Sequence, residues 1–217
     1  MIRMARYPEA TPMSQMPLFA GSGETVLVDD ELGRVAYTPG FLAADMAATW
    51  FAELQQSVSW KTQRRRMYDR DVDVPRLQAY FRLDEEDDAP DLLRVAAEKV
   101  VSFTGVPFTS VGLNFYRDGR DSVAPHNDHL DEIVPGFPIV LLSLGATRRM
   151  TIRAKQPPRR AFHVDLEAGS LLVMSYETQL YYTHGIPKTH EPVGPRISLA
   201  FRVKPARDPA APPSFYR

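Results

Sequence analysis

Two side chains that can bind a metal ion lie two positions apart in the segment VAPHNDHLDE. His126 offers an imidazole nitrogen and Asp128 a carboxylate, and in an extended chain positions i and i+2 project to the same side. The pair could therefore hold one metal ion from two adjacent corners. By itself the pattern is weak, because a histidine and an aspartate in a loop are more often solvated or cap a turn. A metal site needs a further ligand from elsewhere in the chain.

His184 is the best candidate for that third ligand. It ends an aromatic run, LYYTH, and the turn-like segment GIPK follows it. A strand-end histidine far along the chain suits a facial triad of two histidines and one carboxylate, which leaves three positions on iron(II) open. The other histidines fit different places, namely next to the pair, in an alternating strand and in a polar loop: His129, His163 and His190.

The segment PRISLAFRV has the alternation of a strand with one polar face. Arg196, Ser198 and Arg202 point to one side, and the apolar residues between them point to the other. Two guanidinium groups on one face repel each other unless anionic groups lie between them, and a dicarboxylate would supply such groups. The alternative is a pair of surface arginines on a half-exposed strand. Upstream, Asn114 and Tyr116 also share a strand face and could donate neutral hydrogen bonds to a carboxylate, although each alone is an ordinary strand residue.

Composition narrows the choice of metal ligands and partners. The chain has 217 residues and no cysteine, which excludes a disulfide scaffold, a thiolate zinc site, an iron–sulfur cluster and a cysteine nucleophile. Any metal must therefore bind to His, Asp or Glu. The 26 basic and 27 acidic residues nearly cancel, so global charge gives no argument for a polyanionic partner. No apolar run is long enough for a membrane span and no secretory signal is evident, so we expect a cytoplasmic protein that does not bind membranes.

The elements that must position these residues change in character along the chain. Residues 24–38 suggest two short strands around a turn at Gly33, and residues 41–58 have apolar residues at helical spacing. The acidic run 84–91 precedes a second helical pattern that Gly105 would end. From residue 107 onward, short runs rich in Val, Ile, Leu, Phe and Tyr alternate with Gly, Pro and Asp, as in antiparallel sandwiches and barrels. The order of helices and strands predicts an α+β fold.

Seven short motifs follow one another between residues 107 and 204. They are N-x-Y-x-x-G-x-D from Asn114 to Asp121, H-x-D, P-I-x-x-L-S-L-G, G-S-L-L-x-M, T-Q, H-x-I-P-K and R-x5-R. In this order they resemble the AlkB family of Fe(II)- and 2-oxoglutarate-dependent dioxygenases. The resemblance extends more thinly to VPRL-x-A-Y at 74–80, which is similar to the family's nucleotide-recognition lid. The ordered combination is far more specific than any single motif.

The resemblance implies a double-stranded β-helix, or jelly-roll, with N-terminal helices packed outside it. It implies Fe(II) and 2-oxoglutarate as cofactors, with the iron ligands His126, Asp128 and His184. Arg196, helped by Tyr116, would bind the distal carboxylate of 2-oxoglutarate. The residues expected near the cofactor's metal-chelating end are Arg202 and Asn114. Ser198 stands where family members often have Asn, so we expect altered but retained cofactor binding.

The implied organisation has four parts. Residues 1–23 would form an N-terminal arm, and residues 24–106 an extension with helices and the lid. Residues 107–205 would form the jelly-roll catalytic core, and residues 206–217 a flexible tail. We expect a monomer.

The implied activity uses dioxygen to dealkylate N-alkylated bases in DNA or RNA, as in alkylation damage repair, with the alkyl carbon leaving as an aldehyde. An alternative is the same oxygenase machinery acting on a protein or a small molecule. A third possibility, a nucleic-acid-binding module without activity on a degenerate scaffold, conflicts with the intact triad and both arginines.

Several side chains are candidates for binding a nucleic-acid substrate. Two basic clusters, at 61–70 and at 148–160, could contact phosphates, or could be solvated faces. Repair members often carry a base-reading acid two residues after the ligand aspartate, where this chain has Leu130 and an acid one position later. The candidates are Arg64, Arg65, Arg66, Tyr68, Arg76, Tyr80 and Asp131.

Overall fold

Short strands with alternating burial build two antiparallel sheets in the computed structural model of this chain. The structure describes residues 23–67, 70–85 and 89–206, with the backbone alone for residues 63–67 and 70–73. The helices are α1 (Ala44–Ser57), α2 (Asp91–Thr104) and α3 (Tyr176–Tyr181). The strands are β1 (Thr25–Asp30), β2 (Gly33–Thr38), β3 (Lys61–Met67), β4 (Arg70–Arg82), β5 (Ser110–Tyr116), β6 (Val123–His126), β7 (Ile139–Gly145), β8 (Arg148–Ala154), β9 (Ala161–Leu166), β10 (Leu171–Met174), β11 (Tyr182–Ile186) and β12 (Arg196–Arg202).

The larger sheet has eight strands in the order β1-β2-β10-β7-β12-β5-β4-β3, and the smaller has four in the order β6-β11-β8-β9. Successive residues of β7 alternate between two apolar cores, because side chains in a strand point to opposite faces. Leu141 belongs to the core between the two sheets. Leu142 belongs to the core between the larger sheet and the helices α1 and α2. This arrangement confirms the predicted α+β fold with a jelly-roll core and helices packed outside it.

The N-terminal part of the chain extends the larger sheet at both edges. The predicted strands at 24–38 are β1 and β2, which pair with each other and then with β10. At the opposite edge β3 and β4 form a hairpin whose second strand pairs with β5. The extension and the core predicted from the sequence therefore share one continuous sheet.

The two predicted helices are present and have the expected boundaries. The helix predicted at 41–58 is α1, which buries Ala47, Trp50 and Leu54. Helix α2 ends at Gly105, which adopts a left-handed conformation with φ of 71° and donates its N–H to Val101 O. Glycine reaches this conformation without steric cost. Within the described residues, the helices are all too short and too polar to cross a membrane.

Candidate metal and cofactor site

The two candidate histidine ligands meet where β6 and β11 pair. His126, the last residue of β6, lies directly opposite His184 of β11, and their ring centroids are 4.5 Å apart. The close approach depends on Gly185, because a Cβ atom there would lie 2.9 Å from the carbonyl oxygen of Val123. Two residues far apart in the sequence are thus brought together at one ladder position.

Asp128 completes the cluster from the loop that follows β6. One ligand atom from each of His126, Asp128 and His184 can be chosen so that all three lie within 4.8 Å of one another. Asp128 and His184 are each only 7% exposed. The structure thus brings together the three side chains predicted from the sequence, two of them buried and His126 partly buried, in a cluster that could hold one metal ion.

The protonation states of the cluster suit a divalent metal. Burial lowers the pKa of His184 to about 4, with a smaller contribution from His126, and burial also lowers the pKa of His126. Both imidazoles are therefore neutral at pH 7, as metal ligands must be. His126 Nδ1 lies 3.0 Å from the carbonyl oxygen of Ala124, which can only accept, so this nitrogen carries the proton and Nε2 is left for a metal.

Arg202 keeps the buried carboxylate of Asp128 ionised. Burial alone would raise the pKa of Asp128, but the charge and hydrogen bond of Arg202 hold it well below its ordinary value. Nε of Arg202 donates to Oδ2 of Asp128 at 2.6 Å. One carboxylate and two neutral imidazoles are the donor set of a facial-triad iron(II) site.

Arg196 is a buried cation with unused donors. It is 1% exposed, and its Nη2 donates to Ser143 Oγ at 2.8 Å. Among the residues that the structure describes, Nε and Nη1 of Arg196 have no hydrogen-bond partner. The ring of Tyr116 lies 5.3 Å from the guanidinium carbon. Burial lowers the pKa of Arg196 to about 10, so the group stays charged at pH 7. A carboxylate would satisfy both the charge and the free donors.

Asn114 and Ser198 lie on the neighbouring strands β5 and β12. Asn114 Oδ1 accepts hydrogen bonds from Arg76 Nε at 2.7 Å and from Gln78 Nε2 at 3.1 Å. Since the Arg76 nitrogen can only donate, the Asn114 amide is oriented with its oxygen toward β4 and its Nδ2 left as a donor. Ser198 is buried and lies opposite Asn114 on one side and Ser143 on the other.

A cavity of about 380 Å³ opens onto two of the three candidate metal ligands, His126 and Asp128. Its wall includes His126, Asp128, Asn114 and Arg202 from the candidate site, and Arg76 from β4. The other lining residues come from β4, the β5–β6 connection, β6, the loop after it and the segment after β12: Val74, Pro75, Gln78, Ser122, Val123, Ala124, Asn127, His129, Glu132, Ile133 and Lys204. The cavity could admit a ligand to the metal from the β4 side.

The sequence model of the 2OG-Fe(II) oxygenase superfamily matches residues 34–202. Human alpha-ketoglutarate-dependent dioxygenase alkB homolog 3 is 31% identical over 201 residues, which span 84% of this chain and 70% of that protein. The chain belongs to the AlkB family of 2OG-Fe(II) oxygenases. Mouse DNA oxidative demethylase ALKBH2 is 33% identical over 174 residues, or 70% of this chain and 72% of that protein. The solved structure of OsALKBH1 matches the fold, with a TM-score of 0.55 and 14% identity over 77% of this chain and 97% of that one.

Membership of the AlkB family makes this chain an Fe(II)- and 2-oxoglutarate-dependent dioxygenase. The side chains present fit both cofactors. The cluster of His126, Asp128 and His184 has the donor set for iron, and Arg196 has free, buried donors for a carboxylate. The predicted cofactors are thereby confirmed by the family and are consistent with the structure.

Of the residues predicted to bind an AlkB-type substrate, some border the cavity and others do not. Arg76 borders the cavity. Tyr80 is not among the lining residues, and its ring lies 4.8 Å from Lys204 Nζ. Asp131 is exposed in the short 3₁₀ helix Leu130–Glu132, and the acid of that helix that borders the cavity is Glu132. For the remaining four, the backbone of Arg64, Arg65 and Arg66 lies in β3, and Tyr68 lies outside the described residues.

The interpretation of residues 148–160 as one basic surface is wrong for part of the cluster. Arg148 is 3% exposed and donates to the carbonyl oxygens of Asp118, Asp121 and Pro187. Arg149 forms a salt bridge with Asp165 on β9. Spacing along the chain could not reveal these contacts, because they depend on which strand lies next to β8. Exposed cations remain at Arg153, Arg159 and Arg160.

Two buried side chains that hold the site were not predicted from the sequence. Ser143 on β7 accepts from Arg196, and Gln179 in α3 accepts from the backbone N–H of Asp128 at 3.0 Å. Both lie within motifs of the AlkB resemblance, L-S-L-G and T-Q. No local signal distinguishes either from an ordinary polar residue, since each role depends on a partner more than 50 residues away.

Proposed function

We propose that this dioxygenase oxidatively dealkylates N-alkylated bases in DNA or RNA, as expected for repair of alkylation damage. The observation that carries the proposal is the His126–Asp128–His184 cluster, whose His126 and Asp128 line a cavity, in a chain that also buries the charged Arg196. Relatives named as an alkB homolog and as a DNA oxidative demethylase support the choice of substrate.

The proposed roles follow from the contacts of each side chain. His126, Asp128 and His184 would bind iron, and Arg196 with Ser143 and Tyr116 would bind the distal carboxylate of 2-oxoglutarate. The residues proposed near the metal-chelating end are Asn114, Ser198 and Arg202. When bound, Fe(II) and 2-oxoglutarate supply the oxidation of a C–H bond by dioxygen, with one oxygen atom entering succinate and the other the alkyl carbon as carbon dioxide is lost.

The chain's own residues supply placement and charge for this reaction. Arg202 keeps Asp128 ionised and holds one carboxylate oxygen, while burial keeps the imidazoles of His126 and His184 neutral. The charge of Arg196 survives burial and would orient the co-substrate from its far end. The hydroxylated N-alkyl group then releases its carbon as an aldehyde: the C–N bond breaks, its electron pair returns to the base nitrogen, and the hydroxyl proton passes to water, so the protein need supply no separate acid or base.

The hairpin of β3 and β4 is proposed as the nucleic-acid side of the site. Strand β4 contributes Arg76 to the cavity wall, and β3 carries three consecutive arginines, Arg64 to Arg66, that could contact phosphates. Tyr68, Tyr80 and Asp131 remain predicted substrate contacts. A flipped or single-stranded base would enter the cavity from this side.

A protein or small-molecule substrate is the alternative, and one observation favours it. Leu130 occupies the position of the base-reading acid and packs against the core between the sheets. Glu132, which borders the cavity two residues after Leu130, already forms a salt bridge with Lys204 at 2.8 Å. The same iron and cofactor machinery would serve either substrate.

Succinate release separates the two proposals. The enzyme with Fe(II) and 2-oxoglutarate is incubated with a single-stranded oligonucleotide carrying methylated bases, and with the unmethylated oligonucleotide as control. We expect the methylated strand to stimulate succinate release severalfold and the His126→Ala variant to show no stimulation. Equal release with both strands by the wild-type enzyme would favour the alternative.

The proposal also includes a monomer that acts in the cytoplasm. A chain without cysteine suits a reducing compartment. Light scattering after gel filtration would test the mass in solution, and a mass of two chains would contradict the monomer.

A further inference from the structure

The three proposed iron ligands are held in different ways. His126 and His184 lie opposite each other in the ladder of β6 and β11, so the backbone fixes their separation. Asp128 lies two residues beyond the end of β6 and belongs to no strand. Its position must therefore come from side chains that contact it.

One of those contacts comes from Gln179. The backbone N–H of Asp128 donates to Oε1 of Gln179 at 3.0 Å, and Gln179 is completely buried. Because the backbone nitrogen can only donate, the acceptor is the amide oxygen, and the amide nitrogen faces the other way. That nitrogen donates to Thr178 Oγ1 at 3.0 Å, and Thr178 Oγ1 donates to Ser175 O at 2.6 Å. The amide therefore has one orientation that satisfies both ends.

The helix that carries Gln179 is itself fixed on both sides. Helix α3 leads directly into β11, which carries His184, five residues after Gln179. Lys155 Nζ donates to the backbone carbonyl oxygens of Gln179 and Leu180 at 2.9 Å each. Gln179 thus connects the segment that carries one ligand, His184, to the loop that carries another, Asp128.

We propose that Gln179 is a positioning residue for the metal site, whose amide oxygen fixes the backbone of Asp128 so that its carboxylate meets the ion held by the two histidines. Arg202 donates a hydrogen bond to the carboxylate of Asp128, whereas Gln179 accepts one from its backbone N–H. Together the two contacts fix both the position and the orientation of Asp128. The inference rests on the proposed iron site. Outer-shell contacts of this kind change metal affinity by about 10- to 100-fold in metalloproteins.

The test compares metal binding with folding stability. Titration calorimetry with Mn(II), which does not oxidise in air as Fe(II) does, measures affinity for the wild-type protein, Gln179→Met and Gln179→Asn. Met keeps the length of the side chain but has no amide oxygen, and Asn places its amide one methylene too far from Asp128. We expect both variants to bind Mn(II) about 10-fold or more weakly.

A matched control separates positioning from general stability. Thr104 in α2 is buried and makes two hydrogen bonds, to Val100 O and from Val106 N, far along the chain from the ligands. Thr104→Val should lower the melting temperature of the metal-free protein while leaving Mn(II) affinity at the wild-type value. Gln179 variants should lose Mn(II) affinity well beyond what an equal loss of melting temperature causes in Thr104→Val.

The outcomes distinguish this inference from the proposed iron site. If wild-type protein does not bind Mn(II), or His126→Ala binds it equally well, the iron site is wrong. If wild-type protein binds, His126→Ala does not, and Gln179→Met binds as tightly as wild type, the positioning role is overturned while the iron site stands. Should Gln179→Met fail to unfold cooperatively, Gln179→Asn decides by the same criterion.

Discussion

The guanidinium of Arg202 donates from Nε to Oδ2 of Asp128 at 2.6 Å, and the two side chains are only 12% and 8% exposed. The pair joins the proposed metal site to the strand β12, which also carries Arg196. The sequence predicts that two arginines on one strand face repel each other unless anionic groups lie nearby. For Arg202 that anionic group is the carboxylate of Asp128, a proposed metal ligand. The charge of Arg196 remains for a dicarboxylate.

Replacing Arg202 should be costly even without cofactors. Arg202→Met removes the cation that donates to the buried Asp128 carboxylate, and removal of one partner from a buried ion pair costs about 3 kcal/mol. We expect a loss of that size in the free energy of unfolding, measured by urea denaturation of the metal-free protein. Arg149→Met is the matched control, since Arg149 also pairs with an aspartate, Asp165, but at the surface, and it should change stability far less. Equal losses in the two variants would contradict the buried pairing.

Stability of the metal-free protein should fall in mildly acidic solution. The pKa of His184 is lowered from 6.5 to about 4, mainly by burial, so the unfolded chain takes up this proton at a higher pH than the folded chain. With respect to this histidine, the free energy of unfolding is therefore highest above about pH 6.5 and decreases as the pH falls toward 4. Urea denaturation across this window should give a shallower slope of stability against pH for His184→Gln than for wild type. An unchanged slope in His184→Gln would refute the assignment.

Replacing Arg196 should weaken cofactor binding strongly while leaving metal binding unchanged. Each hydrogen bond to a charged group contributes about 1.5–3 kcal/mol, so Arg196→Met should weaken 2-oxoglutarate binding by roughly 100-fold or more. Ser143→Ala removes only one neutral partner of Arg196 and should weaken 2-oxoglutarate binding by about 3- to 10-fold. Calorimetry with 2-oxoglutarate in the presence of Mn(II) measures both, and Mn(II) affinity serves as the internal control. Retained 2-oxoglutarate affinity in Arg196→Met would exclude the proposed anchor.

The arginines of β3 should make oligonucleotide binding sensitive to salt. Alanine at Arg64, Arg65 and Arg66 should reduce the slope of log K against log salt for a single strand by about 0.7 for each phosphate that is no longer neutralised. Fluorescence anisotropy with a labelled oligonucleotide at several salt concentrations measures the slope. The control replaces two exposed arginines that already pair with aspartates, Arg120 and Arg149, by alanine. This double variant should keep the wild-type slope. If the triple variant keeps the wild-type slope, these arginines do not contact phosphate.

Local pattern predicted the parts of the site that depend on local geometry. The alternation that puts Arg196 and Arg202 on one face is a property of an extended backbone. The short spacing of His126 and Asp128 keeps the two ligands near each other, although Asp128 lies in the loop after β6. The expected place of His184 at the end of a strand is wrong, because His184 lies in the middle of β11, which continues to Ile186 and pairs with both β6 and β8. Helix α1 and the stop of α2 at Gly105 follow from apolar spacing and glycine conformation in the same way.

The parts that the sequence did not reveal depend on register between distant strands. Ser143 reaches Arg196 only because β7 pairs with β12, and Ser198 lies opposite Ser143 in that pairing. Arg148 resembled a surface cation until the structure showed it among three carbonyl oxygens. Gln179 reaches Asp128 across 51 residues of sequence. A one-dimensional pattern contains no information about such contacts.

The proposed activity is oxidative dealkylation of nucleic-acid bases at a site formed by His126, Asp128 and His184 with Arg196. Its most direct measurement is the mass of a single-stranded oligonucleotide carrying 1-methyladenine or 3-methylcytosine, recorded before and after incubation with enzyme, Fe(II), 2-oxoglutarate and dioxygen. We expect each adduct to lose the mass of one methylene group with wild-type enzyme and to keep it with His184→Ala or Arg196→Met. Oligonucleotides that keep their full mass with a wild-type enzyme that binds both metal and 2-oxoglutarate would contradict the proposed activity.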